Sequence, residues 1–184
     1  MTALDPQHVA EVVRRHILTE YQPDSCIASA RAVIDVYGYF GIKAKPQPVR
    51  LMVWNRLGAE LAAAKLPVDQ WPAAAWSVGI EATGGYGNGR WDGHLVAVTG
   101  THLIDASLDQ ASRPDKGITV GPRAELLPAG WPQRIVRAAP RGAVVAWEPV
   151  EDEHYRDSPN WKPSAVRARV CGAAIRELRA EVAA

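Results

Sequence analysis

Apolar residues recur at helical spacing in three long stretches of the chain and alternate with polar ones in several shorter stretches. Val9, Val13, His16 and Ile17 share one face of a first helix. Asp5 is its expected N-cap, Pro6 its first residue, and about position 21 its end, because Tyr21-Gln22-Pro23 breaks the pattern. Cys26, Ala30, Val33, Tyr37 and Phe40 form the stripe of a second helix, predicted over 24–40 with Asp24 as N-cap and Gly41 as its stop. Val166, Val170, Ala174, Leu178 and Val182 mark a last helix over about 163–182. Residues 55–66, rich in Ala and Leu, read as a short helix.

Val49, Leu51 and Val53 alternate with Arg50 and Met52, which predicts a strand; Pro46 and Pro48 give it an edge position or a bent beginning. Residues 76–80 and 142–147 read as two more strands. Residues 94–98 and 103–107 read as a hairpin with Gly100-Thr101 at its turn. The Pro- and Gly-punctuated stretch from 108 to about 140 yields no element, and 151–161 reads as a polar loop. The pattern predicts a single domain over 1–184 that mixes helices with an antiparallel sheet, its core at about 5–150 and the final helix appended.

Composition narrows the partners. At 184 residues and 47% apolar content, the chain can bury a core. A formal net charge of +1 without dense basic tracts argues against nucleic acid or an anionic membrane as partner. No apolar run approaches the roughly 20 residues that span a bilayer. The N-terminal residues lack a signal-peptide pattern, and Cys26 and Cys171 are too few for a disulfide scaffold; a cytoplasmic, reduced protein is expected. The chain carries seven Trp and one Phe, and tryptophans either pack or line a ligand groove. Trp54 and Trp91 are the candidates for substrate contact, with Gln22 beside them. Oligomeric state is not legible.

Cys26 carries the chemistry. In Asp24-Ser25-Cys26 it falls in the first turn of the second helix. Unpaired backbone N–H groups and the helix dipole there favour a thiolate, the nucleophilic form. His94 starts one strand of the hairpin and Asp105 lies on the other. With Gly100-Thr101 at the turn, Val98 pairs with Leu103, Ala97 with Ile104 and Val96 with Asp105. Asp105 then shares the face of His94 as its diagonal neighbour, with Cβ atoms about 7 Å apart or less. A slip of one residue would put Asp105 on the other face. Cys, His and Asp in this order fit an acyl-transfer site in which His takes the thiol proton and Asp orients the ring. His8, His16, His102 and His154 are less well placed. Cys171, mid-helix, is expected only to pack. No short Cys/His spacing suggests a metal, and no cofactor motif is visible. The glycine-rich run 84–93 matches neither phosphate-binding fingerprint and is read as a hairpin connection or a flap beside His94.

Three segments together resemble the transglutaminase-like branch of the papain-like cysteine-enzyme superfamily. The first runs from Cys26 through Gly41-Ile42-Lys43-Ala44 to Pro46, the second is Gly93-His94-Leu95-Val96-Ala97-Val98, and the third is Leu103-Ile104-Asp105-Ala106-Ser107. The resemblance implies an α+β, papain-like fold with the nucleophile helix packed on an antiparallel sheet. It also implies a triad of Cys26, His94 and Asp105. Members include transglutaminases, peptidases, peptide N-glycanases and arylamine N-acetyltransferases, so it leaves the acceptor open. A hydrolase of peptide, protein or small amide substrates is expected, with a transferase or a non-catalytic binding module of the same fold as alternatives. The chain departs from the pattern at Trp91, three residues before His94, and at Gln22, four before Cys26. No oxyanion side chain stands out, which leaves the Cys26 backbone N–H for that task.

Overall fold

The computed structural model describes residues 4–81, 86, 87, 90–129, 131 and 133–182. Among them are four α-helices: α1 (Pro6–Ile17), α2 (Cys26–Tyr39), α3 (Arg56–Ala63) and α4 (Ala165–Val182). The strands are β1 (Lys45–Trp54), β2 (Ser77–Ile80), β3 (Tyr86–Gly87), β4 (Arg90–Trp91), β5 (His94–Val98), β6 (His102–Asp105), β7 (Arg123–Leu126), β8 (Ile135–Ala138) and β9 (Val144–Pro149). Seven of them form one antiparallel sheet in the order β7-β6-β5-β1-β9-β8, with β2 also paired to β1. The class is α+β.

The sheet curls until its two end strands meet. Arg123 of β7 donates to the Ala138 carbonyl of β8 at 2.8 Å, and Arg137 of β8 donates to Glu125 of β7 at 2.8 Å. Inside the curl lie Leu51, Val53, Val96, Leu103, Ile118, Val145 and Trp147. The outer face, at Ala97 and Ile104, is covered by apolar residues of α1, α2 and α4. Cys171 packs in this layer, as its mid-helix position implies.

Local chemistry accounts for the element ends. Asp5 caps α1 by accepting from the Gln7 N–H at 3.1 Å. The helix stops at Ile17, short of the expected end, and the chain continues as bonded turns, with the Tyr21 N–H on the Ile17 carbonyl at 2.8 Å. At α2 the cap is Ser25, one residue beyond the expected Asp24. The Ser25 carbonyl accepts the first helical bond, from Ser29, at 2.9 Å, while its hydroxyl accepts from Arg14 at 3.4 Å. Gly41 ends α2 with φ at +74°, a left-handed turn that a side chain would strain.

The beginning of β1, which holds Pro46 and Pro48, has a strand neighbour on one side only, as an edge reading expects, although the strand as a whole is central. β1 is central, flanked by β5 and β9. Its first half pairs with β5, and the ladder to β9 begins only at Val49. The Pro48 carbonyl accepts from Val150, on the side away from β5, at 3.1 Å. The Pro48 nitrogen points the same way, so its missing N–H removes no bond to β5. β3 and β4 pair as a small antiparallel ladder, Tyr86 with Trp91 and Gly87 with Arg90; the rest of the glycine-rich run before Arg90, on which the hairpin and flap readings rest, lies outside the described residues. The stretch read as featureless holds β7 and β8. Among the described residues, no helix is long and apolar enough to cross a membrane.

Candidate functional site

β5 and β6 pair in the predicted register, Ala97 with Ile104 and Val98 with Leu103. His94 and Asp105 therefore share a face, and both side chains are wholly buried, at 0% exposure. The His94 Nε2 lies 2.8 Å from Asp105 Oδ2. That oxygen also accepts from the Trp147 indole at 2.9 Å, while Oδ1 accepts from the Ser107 N–H at 3.2 Å and the Ser107 hydroxyl at 3.4 Å. Four donors converge on one carboxylate, which explains how a charge survives in this interior. Burial alone would raise the pKa of Asp105, but His94 and these donors hold it below its ordinary value of 3.8. Because Asp105 is ionised, His94 must donate from Nε2, and the tautomer is set.

Burial is also the largest single influence on His94, and it pushes the ring toward neutrality. The Asp105 charge and hydrogen bond, joined by Cys26 as partner and as negative charge, outweigh it and raise the pKa from 6.5 to about 10. Cys26, His94 and Asp105 thus form one electrostatic unit. Cys26 is the first residue of α2, so its N–H has no acceptor within the helix. It is 8% exposed and belongs to a small apolar cluster with Ile27, Ala30, Trp91, Leu95 and Tyr155. Its thiol donates to the Gly93 carbonyl at 3.7 Å.

The thiol lies on a cleft of about 690 Å³ whose walls include Gln22, Ser25, Ile80, Trp91, Asp92 and Gln110. Two of the three predicted contact residues, Trp91 and Gln22, are among them. The third, Trp54, does not line this cleft. It pairs with Ser77 and Val144, five residues along β1 from Val49, the partner of His94. At strand rise that is about 17 Å away, and Arg134 lies over the Trp54 ring at 5.4 Å instead. Trp91 is held firmly. Its indole donates to Asp152 at 2.8 Å, and its ring meets Tyr155 edge-on at 5.9 Å, which in turn meets Trp161 at 4.9 Å. A Cβ at Gly93 would overlap the Trp91 ring, so the residue between indole and imidazole has to be glycine.

The other histidines serve elsewhere: His8 meets Glu181, His16 meets Glu177, His102 meets Thr101 and His154 meets Asp152. Sequence reasoning missed three site residues. Trp147 was recognised only as part of a strand. Ser107 was placed near the site but given no task. Gln110 lies 2.5 Å through Nε2 from the His94 Nδ1. Behind Gln110, Arg14 holds Asp109 with two nitrogen–oxygen approaches of 2.8 Å and donates to the Pro23 carbonyl at 2.7 Å. One guanidinium thereby ties the Gln110 turn to the segment leading into Cys26. An Arg fourteen residues into the chain gives no local sign of this.

No family model matches the chain, and neither a curated protein nor a solved structure matches it.

Proposed function

We propose that this chain is a cysteine-dependent acyl-transfer enzyme of papain-like, transglutaminase-like architecture, acting on the amide bond of a peptide, protein or small-molecule substrate. One observation carries the reading: a buried imidazole with an ionised Asp105 on Nε2 and in electrostatic contact with Cys26, whose sulfur borders an open cleft. In the reaction, the Cys26 sulfur forms a bond to the substrate carbonyl carbon as its proton passes to the His94 Nδ1. His94 gives that proton to the amine nitrogen as the C–N bond breaks, leaving a thioester on Cys26. Water then attacks the thioester; His94 takes a proton from it and returns one to the sulfur as the acid leaves. Asp105 stays ionised throughout and stabilises the imidazolium. An amine in place of water gives transglutaminase or N-acyltransferase chemistry with the same three residues. The Cys26 N–H, without a helical acceptor at the start of α2, serves as donor to the carbonyl oxygen in this reading.

The test combines iodoacetamide labelling with a screen of fluorogenic amides. Preferential alkylation of Cys26 over Cys171 at neutral pH, with turnover lost in Cys26→Ala, supports the reading; equal or absent labelling of Cys26 sinks it. A second reading, a binding module with the same fold, is favoured by the resting hydrogen bond of the thiol to Gly93. It predicts a peptide ligand that binds wild type and Cys26→Ala alike and is never cleaved.

A further inference from the structure

We infer that Arg14 is a positioning residue: its guanidinium bridges the two walls of the Cys26 cleft and so fixes the nucleophile against its base. The inference rests on the cysteine-enzyme reading above. One nitrogen makes the bridge. The Arg14 Nη2 carries two hydrogens. It donates to the Pro23 carbonyl at 2.7 Å and to Asp109 Oδ2 at 2.8 Å. The first partner lies in the segment that leads into Cys26, and the Arg14 Nη1 adds a 3.4 Å bond to the hydroxyl of Ser25, the cap of α2. The second partner immediately precedes Gln110, which meets the His94 ring at 2.5 Å. Ser25, Cys26 and Gln110 all border the cleft. The Arg14 Nε faces Asp109 Oδ1 at 2.8 Å as a charge contact, without the alignment of a hydrogen bond.

The energetics point to a connector rather than to a source of stability. Arg14 is 2% exposed on α1, whose Val9, Val12, Val13 and Ile17 are wholly buried. Taking a guanidinium into such an interior carries a large desolvation cost, and apolar groups of similar volume often close an interior at least as well. What they lack is directed bonds to two separate segments. Neither segment is held by a sheet ladder or lies within an α-helix. Pro23 and Ser25 stand between α1 and α2, and Leu108–Ala111 is a single short helical turn. With the bridge in place, the start of α2 and the turn beside His94 move as one body. Without it, the sulfur and the ring can separate while α2 and β5 keep their packing, and a thiolate loses the cation beside it.

The experiment measures the rate of Cys26 alkylation by iodoacetamide, followed by peptide mass, between about pH 5 and 9, alongside the urea midpoint. Three variants are compared with wild type. Arg14→Lys keeps the charge, but its ammonium ends one bond short of Nη2. Arg14→Met combined with Asp109→Leu replaces the pair by apolar groups of similar size. Asp109→Asn, on a side chain 29% exposed, keeps the shape and removes one charge, so it tests the bridge even if the double variant does not fold. Both Arg14 variants are expected to alkylate about tenfold more slowly at neutral pH, with the acidic limb of the profile about one unit higher; Asp109→Asn is expected to show about a threefold loss. The double variant should lose this rate while holding the wild-type urea midpoint. A merely structural pair would do the reverse, lowering the urea midpoint and leaving the alkylation profile of the folded protein where it was. That result, or a wild-type profile in Arg14→Lys, overturns the inference. His94→Gln separates the two claims. If it leaves the wild-type rate unaltered, the enzyme reading itself fails; if it lowers the rate while the Arg14 and Asp109 variants keep the wild-type profile, only the role of Arg14 fails.

Discussion

Cys26 and Cys171 are equally hidden, each 8% exposed, and both sit on helices. Their surroundings part completely. Cys26 begins α2 on a cleft, beside an imidazole that its charge helps to keep protonated. Cys171 lies inside α4 with its sulfur 4.0 Å from the Ala32 carbonyl, and burial, aided by the Asp35 charge, pushes its thiol up to about 11. Accessible surface does not separate the proposed nucleophile from the packing residue here. Position along the helix and the neighbouring charge do.

That contrast can be broken in several ways. The largest effect is expected from Cys26→Ala, which abolishes turnover of any amide substrate while Cys171→Ala retains it; a fluorogenic assay of both variants decides. Asp105→Asn comes next. It removes the charge that orients His94 and is expected to lower turnover at least about 100-fold. Because it also breaks a buried pair, it should destabilise the fold by about 3–5 kcal/mol, readable by urea denaturation. Third, native Cys26 should alkylate about tenfold faster than Cys171 or more, and the difference should vanish in guanidinium. Mass spectrometry of the two peptides checks it.

The fourth effect is a pH dependence of stability. Despite burial, the folded state lifts His94 from 6.5 to about 10, so the folded chain binds this proton more tightly than the unfolded one. The resulting stability is complete below 6.5 and is lost as pH climbs through about 10. Asp105, held below 3.8 despite its burial, adds stability above that value and loses it as pH falls further. The urea midpoint should therefore form a plateau between these limits, and its alkaline decline should flatten in Asp105→Asn. The smallest effect is that of Cys171→Ala on stability, about 1 kcal/mol from lost packing in the helical layer.

The hairpin was legible because a period of two, a turn at Gly100 and a single shared face leave one register for His94 and Asp105. The cysteine was legible because a cap residue and Pro23 mark where α2 starts. What stayed hidden depends on contacts distant in sequence. Trp147 reaches Asp105 across 42 residues and Arg14 reaches Asp109 across 95, with no periodicity to announce either. β7 and β8 escaped because each has four residues with mostly half-exposed or exposed side chains. Trp54 was singled out for its residue type, and the length of β1 carried it away from the cleft.

Trp147 and Asp105 join β9 to β6 by one bond, on the same oxygen that orients the imidazole. Architecture and chemistry therefore share an atom. On the catalytic reading proposed above, descendants of this chain that abandon the reaction are free to let the sulfur drift to serine or alanine, whereas the aspartate is not free to change, since its loss would loosen the body of the molecule. A silenced copy should betray its ancestry by keeping the acid long after the thiol is gone.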